Sequence, residues 1–260
     1  MSKHYGNDLA YIHDVGFGHF ARNAAPGVLG ILRAHGIESG RIVDLGCGTG
    51  LWARELDHAG YNVFGIDISA SMIAMARKRV PQATFRRTSM LSARLPACDA
   101  VTALGEVFNY LFDDRVSEDT LAALFERIHA ALRPEGLLIF DVAEPGRERA
   151  RGQRLRHWEA RDWAMLIRVD EDTGRRELTR TMTTFRRVGR LYRRDHEVHR
   201  LRLYKASEIA VRLRHAGFVV RTVRHYGKMP LPQGMVGFVA RKWKGIPFGG
   251  KNAPLSTCRS

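Results

Sequence analysis

Between residues 41 and 141, short apolar runs alternate with amphipathic segments of helical length. This alternation constrains the fold more than any other feature of the chain. Residues 41–45, 62–66, 83–87, 99–104 and 137–141 read as strands. Trp52, Leu56 and Ala59 mark a helix that stops at Gly60. Ser69 or Ser71 caps a second helix, which Pro81 ends, and residues 118–132 form a third with acids in its first turn. Such a series predicts an α/β domain, a doubly wound, mostly parallel sheet with helices on both faces. Ligands bind such sheets beyond the C-terminal strand ends, where the strand order reverses.

Before this unit, residues 19–36 read as an amphipathic helix built on Phe20, Val28, Leu29 and Leu32, interrupted at Pro26 and closed by Gly36. After it the periodicity changes. From about residue 155, Trp163, Met165, Ile167 and Val169 alternate with Ala164, Leu166 and Arg168, and turns fall at 172–174 and 188–190. This predicts an antiparallel β meander inserted into the α/β unit. Ser207 then caps a helix to Ala216, Gly217 follows, and strands resume at 218–223 and 235–240. The expected organisation is an N-terminal segment and helix (1–37), an α/β core (38–150), the β insertion (151–204), a return to the core (205–243) and a disordered Gly-, Pro- and Lys-rich tail (244–260).

Composition excludes several classes. No run approaches the ~18 apolar residues of a membrane span, and the N-terminus has no apolar signal stretch. Cys47, Cys98 and Cys258 are too scattered for a disulfide framework or a zinc site, so no metal is expected and a cytoplasmic location is the default. Charge is uneven. The 42 Lys+Arg outnumber the 27 Asp+Glu, yet residues 1–144 hold 14 basic against 17 acidic side chains, and residues 145–230 hold 23 against 10. The second half is therefore a solvated arginine-rich surface or the place for an anionic partner.

The most specific motif is Val43-Asp-Leu-Gly-Cys-Gly-Thr-Gly50, directly after the first strand. Glycines at 46, 48 and 50 let the backbone turn sharply and approach a ligand closely. Asp67 ends the next strand, where a carboxylate can take both hydroxyls of a ribose. A dinucleotide fingerprint needs G-x-G-x-x-G, and here the third glycine comes one residue early, with Leu51 in its place. Asp44, just before the loop, would repel a pyrophosphate and suits a ligand with an ammonium group.

These residues resemble the class I S-adenosylmethionine-dependent methyltransferases, over about residues 38–142 and again over 205–241. The resemblance implies S-adenosyl-L-methionine as cofactor and a seven-stranded sheet whose last strand is antiparallel. It also implies site roles. Asp44 lies near the methionine end of the cofactor, and the backbone of Gly46, Cys47, Gly48 and Gly50 packs against it. Asp67 holds the ribose, and Ile68 and Met72 flank the adenine. Ser89 and Met90 stand where the family often has an adenine-binding Asp, and Gly105 follows the fourth strand. The N-terminal segment with Tyr5, Tyr11, His13, Phe17 and Arg22 resembles the family's lid. Arg22 is a candidate for the methionine carboxylate, or else an exposed helix arginine. The insertion resembles the substrate cover of small-molecule N- and O-methyltransferases acting on amino sugars or glycine.

The expected acceptor is a small molecule, an amine or hydroxyl that can also be anionic, with no membrane partner and a monomeric or homodimeric protein. Candidates for catalysis are His13, Glu106, Tyr11 and Tyr110. Glu106 would bind an acceptor cation or take a proton, and Asn109 and Tyr110 would orient the acceptor. His157, His196, His199 and Tyr226 belong to the later cover. Two alternatives stand beside this. One is a nucleic-acid (RNA) methyltransferase using the basic second half, although residues 104–107, Leu-Gly-Glu-Val, lack the Asn-Pro-Pro-aromatic motif of base-amine enzymes. The other is a cofactor-binding, non-catalytic partner subunit.

Overall fold

The computed structural model describes residues 4–148 and 155–243; the tail from residue 244 and the first residues of the expected insertion lie outside them. The chain opens with α1 (Asn7–Phe17) and α2 (His19–Ala34). There follow β1 (Gly40–Leu45), α3 (Leu51–His58), β2 (Tyr61–Asp67), α4 (Ala70–Arg79), β3 (Thr84–Arg87), β4 (Cys98–Ala103), α5 (Glu118–Ala131) and β5 (Leu132–Ala143). Next come β6 (Leu155–Ala160), β7 (Trp163–Asp172), β8 (Glu177–Val188) and β9 (Leu191–Arg202). The chain then forms α6 (Ala206–His215), β10 (Phe218–Val223), a short hairpin of β11 (His225–Tyr226) and β12 (Met229–Pro230), and β13 (Met235–Lys242).

Seven strands make one sheet in the order β10-β13-β5-β4-β1-β2-β3. β13 is antiparallel to both neighbours, and the other pairs are parallel. The chain runs outward from β1 through β2 to β3, then crosses back to β4 on the other side of β1. The order therefore reverses between β1 and β4, which opens a crevice at their C-terminal ends. Both faces are covered. Phe140 and Phe238 sit opposite each other in register and stack at 4.8 Å, under Phe108 and Phe125. On the other face Trp52, Leu56, Val28 and Leu32 pack on Ile42 and Val63. Double-sided burial explains why these strands read as continuous apolar runs rather than as alternations.

The second sheet is a four-stranded antiparallel meander, β6-β7-β8-β9. Here alternation does sort the residues. Trp163, Met165 and Val169 of β7 and Leu178 and Met182 of β8 are buried, while Leu155, Leu166 and Val198 stay exposed. α1 lays Leu9 and Ile12 against Trp163, Met165 and Met182, which joins the N-terminus to the meander. Arginines of the second half meet carboxylates of the first: Arg186 and Arg193 with Asp8, Arg212 with Glu118, Arg224 with Glu144, and Arg241 with Glu135. Part of the charge asymmetry is thus neutralised across the seams of the fold.

Two local expectations need correction. Pro26 does not interrupt a helix; it lies inside α2, whose Ala24, Ala25, Val28 and Leu32 are buried, so packing outweighs the missing N–H. The break comes earlier, at Gly18 between α1 and α2, where a Cβ would stand 2.6 Å from the Asp14 carbonyl oxygen. Ser207 does not cap α6, which begins at Ala206 after Lys205 with no side-chain cap. Ser69 does cap α4, its oxygen accepting from Met72 N at 3.2 Å. No helix among the described residues is long and apolar enough to cross a membrane.

Candidate active site

A cavity of about 480 Å³ lies at the C-terminal ends of β1, β2 and β4, between the sheet, α1 and the meander. Its first half is built on the glycine loop. Gly46, Gly48 and Gly50 all have positive φ, at +64°, +53° and +78°. A Cβ on Gly46 would stand 2.7 Å from Val107, whereas one on Gly48 would meet only Met72 Sδ, 4.0 Å away. The loop is pinned to β2: Cys47 N donates to Ile66 O at 3.0 Å, and Gly48 N to Asp67 Oδ2 at 2.9 Å. The other Asp67 oxygen accepts from Ser69 N at 2.8 Å. Beneath the loop Asp44 is buried, and its carboxylate accepts from Thr102 Oγ1 at 2.9 Å. Thr102 in turn accepts from Trp52 Nε1 at 3.0 Å.

The second half forms where β4 ends. Gly105 and Glu106 both take positive φ, and the Asp141 carboxylate holds the turn by accepting from Gly105 N at 3.0 Å and Glu106 N at 2.7 Å. Tyr226 OH donates to the same carboxylate at 3.2 Å. Glu106 thereby enters the cavity, where two guanidiniums meet it: Arg147 on one oxygen and Arg180, at 2.8 Å, on the other. Arg180 also donates to Tyr110 OH at 3.1 Å, and Tyr110 OH lies 3.1 Å from Tyr5 OH. His13 lies edge-on to the Tyr5 ring, 5.3 Å between centroids, and its buried Nδ1 has no hydrogen-bond partner.

Most of the expected residues come together here. Asp44, Gly46, Cys47, Gly48, Asp67, Ile68, Met72, Ser89, Met90, Gly105, Glu106, Tyr110, His13 and His199 line the cavity. Several stand elsewhere. Tyr11 donates to Asp162 at 2.8 Å under the Arg186 guanidinium, outside the lining, because it faces the outer side of α1. Arg22 is exposed beyond Gly18, also outside the lining. Gly50 acts one step back, opening α3 close to Ala76. Asn109 is fully buried and hydrogen-bonded to the backbone of Ala143 and Arg202, so it ties the turn to β5 and β9 instead of orienting a ligand. Tyr226 lies behind the turn, and His157 and His196 do not line the cavity.

Sequence reasoning missed Arg147, Arg180 and Asp113. Asp113 lines the cavity, accepts from Ser89 Oγ, and is held well below the usual carboxylate range by Arg115. Arg180 did leave a signal. It stands between Leu178 and Met182 on the buried side of β8, the one charge in an apolar register of that stretch.

Charge states follow from these surroundings. Burial pushes Asp44 up to about 7, against the pull of the Thr102 hydroxyl, and burial does the same to Asp141, also to about 7. Burial lowers His13 to about 4. Glu106 goes the other way: burial disfavours its charge, but Arg180 and Arg147 together bring it down to about 2. A carboxyl raised on folding stabilises the fold fully below its unfolded pKa, and that stability is lost as pH rises through the folded value. His13 opposes this only below about 6.5, its unfolded pKa. The thermal midpoint of the ligand-free protein is therefore expected to fall between pH 6.5 and pH 8. Scanning calorimetry across that window tests it, and a rising midpoint would contradict the assignment of Asp44 and Asp141.

Comparison with known proteins agrees with this geometry. A methyltransferase-domain family matches residues 42–136. A putative methyltransferase of Geobacillus sp. (strain WCH70) is 36% identical over 107 residues, 39% of this chain and 42% of that protein. The dTDP-3-amino-3,6-dideoxy-alpha-D-glucopyranose N,N-dimethyltransferase of Streptomyces fradiae is 28% identical over 141 residues, 53% of this chain and 54% of the relative. The chain thus spans about half the length of these curated relatives. Among solved structures, S-adenosylmethionine-bound CalS10, an amino pentose methyltransferase from Micromonospora echinaspora, superposes with a TM-score of 0.70 at 19% identity, covering 89% of this chain and 96% of that one. Residues 42–136 are thus similar to a methyltransferase domain, and the sheet order with the glycine loop at its switch point gives the chain the fold of its solved S-adenosylmethionine-dependent methyltransferase neighbours.

Proposed function

We propose that the protein methylates the amine of a small acceptor that also carries a negatively charged group. One observation carries this reading: at the acceptor end of the cavity two arginines, Arg147 and Arg180, share a single carboxylate, Glu106. Arg147 is 5% exposed, and its Nε is buried without a partner. Asp141, whose oxygens accept from Gly105, Glu106 and Tyr226, forms no ion pair with either arginine. Buried charges are stable only when paired, so an anionic group on the acceptor would complete the set.

The residues present fit the cofactor. The space above Gly48 and Gly105 is open, since a Cβ at either would meet only a side-chain atom 4.0 Å away. Two carboxylates, Asp44 and Asp67, line the cavity together with the apolar side chains of Phe20, Leu104, Met72 and Met90. Asp67 would hold the ribose and Asp44 the cationic methionine end. When bound, S-adenosylmethionine supplies a methyl group already activated on a sulfonium. What remains for the protein is to align the nucleophile and exclude water.

The protonation states favour an amine over a hydroxyl acceptor. A hydroxyl needs a base near neutral pH, and three groups beside the arginine pair do not supply one: Glu106 stays ionised, His13 is a weak base, and burial keeps the Tyr5 phenol neutral. A neutral amine needs no base to begin the attack, and the unpartnered His13 Nδ1 can accept one of its N–H groups and aim the lone pair. The names of the amino-sugar relative and the amino pentose neighbour support the same choice.

The test has two arms. Calorimetry with S-adenosylhomocysteine reads the cofactor half, and absence of binding would end the methyltransferase reading. Thermal shifts by phosphate or acetate on the S-adenosylhomocysteine complex read the acceptor half. Glu106→Gln frees both guanidiniums and is expected to enlarge the anion-induced shift; Arg180→Gln is expected to shrink it. Equal shifts in the two variants would refute the anionic acceptor. Labelled cofactor incubated with fractionated metabolites then identifies the product by mass.

A further inference from the structure

We propose that Glu197, on β9, is a positioning residue that fastens the start of the chain across the cavity and so sets how fast the cofactor is exchanged. The proposal rests on the methyltransferase reading above for the identity of the ligand. Just before α1, Tyr5 N donates to Glu197 Oε2 at 2.8 Å and Gly6 N donates to Glu197 Oε1 at 2.7 Å. One carboxylate therefore grips two successive backbone amides. Glu197 is 5% exposed, and its Oε2 also lies 2.9 Å from His199 Nε2, on the same face of the strand. A buried acid with three donors converging on it is held in one rotamer.

The segment it grips is strained. Tyr5 has φ +48°, a conformation that a residue with a bulky side chain adopts only when its surroundings impose it. The second fixing point lies across the cavity: Ser69 Oγ donates to Tyr5 O at 2.9 Å, and Ser69 N donates to the Asp67 carboxylate at 2.8 Å. Tyr5 thus bridges the meander to the loop that carries the proposed ribose carboxylate. Its ring lines the cavity, and its hydroxyl meets Tyr110 at 3.1 Å, next to Arg180. Cofactor half and acceptor half meet at this one residue.

The consequence is mechanical. With Glu197 in place, Tyr5 and Gly6 stay down, and ligand exchange requires both amides to leave the carboxylate together. Without it, the left-handed Tyr5 relaxes and the strap opens. Glu197 touches neither of the proposed ligand sites, so its effect reaches them through Tyr5 and through His199, which lines the cavity.

The experiment uses the full chain with Glu197→Gln, which keeps the shape but loses one acceptor and the charge, and Glu197→Ala. Amide exchange at Tyr5 and Gly6, read by NMR without ligand, tests the fastening directly. The dissociation rate of S-adenosylhomocysteine, read by competition, tests the gating. Both amides are expected to exchange at least tenfold faster in Glu197→Gln, and the ligand to leave at least tenfold faster, with larger changes in Glu197→Ala. Unchanged amide exchange in a folded Glu197→Gln overturns the fastening. Faster exchange with an unchanged ligand release rate overturns the gating, since a purely structural role would loosen the strap alone. Should the unaltered protein bind no S-adenosylhomocysteine, the methyltransferase reading fails, and the amide arm still decides whether Glu197 holds the strap.

Discussion

Asp67→Ala is expected to weaken S-adenosylhomocysteine binding by about 100-fold or more. The Asp67 carboxylate has two tasks. Within the protein it accepts from Gly48 N at 2.9 Å and Ser69 N at 2.8 Å, fixing the glycine loop to the start of α4. Toward the cofactor it is the proposed holder of the ribose. Hydrogen bonds to an ionised group contribute roughly 1.5–3 kcal/mol each, so losing two gives about 3 kcal/mol or more, equivalent to two decades in affinity. Asp67→Asn keeps one acceptor oxygen but turns an amide N–H₂ toward a backbone N–H, so it is expected to fall between the two. Titration calorimetry on folded variants measures both. An Asp67→Ala protein that binds like the unaltered one would remove the ribose assignment and with it the proposed orientation of the ligand.

The half of the site proposed for the cofactor was legible in the sequence because its residues are local. Asp44, the three glycines and Asp67 lie within two strand ends, and the spacing alone places them together. The α/β alternation was legible for the same reason, since five buried strands and the helices between them each carry their own period. The acceptor half was not. Glu106 was visible as a carboxylate after β4, but its partners come from residues 147 and 180, and no local pattern says that two arginines will reach one acid. Only with the meander folded over the sheet does Glu106 change from an apparent proton acceptor into an anchored counter-ion. Tyr11 failed for a related reason. It is two residues from His13, and on a helix that places the two on different faces, so one lines the cavity and the other meets Asp162. Arg180 was the readable residue that went unread: an arginine in the buried register of an alternating strand is costly unless it has a partner.

Gly27→Ala is expected to be the most damaging small substitution in the fold. Propensity alone would make alanine better than glycine inside α2 by roughly 0.5–1 kcal/mol. The surroundings reverse that sign. A Cβ at residue 27 would overlap the carbonyl group of Tyr226 and stand 2.5 Å from Gly227 N. All of these are backbone atoms, so no side-chain rotation relieves the clash, and Gly227 itself has φ +57° in the β11–β12 turn. Separating the helix from the hairpin should cost about 3 kcal/mol, which for a chain of this size lowers the thermal midpoint by roughly 6–12 °C. The damage also has a route to the site. Tyr226 carries the hydroxyl that donates to Asp141, and Asp141 holds the amides of Gly105 and Glu106. Tyr226→Phe removes that hydroxyl without moving the backbone, so it is expected to cost only about 1 kcal/mol, the ordinary net value of one hydrogen bond. If the two variants melt together, the close approach of α2 to the hairpin is not what holds Tyr226 against the sheet. If Gly27→Ala melts far lower and also loses the anion-induced shift read at Arg180, then the packing of α2 supports the arginine pair on Glu106 through Tyr226 and Asp141.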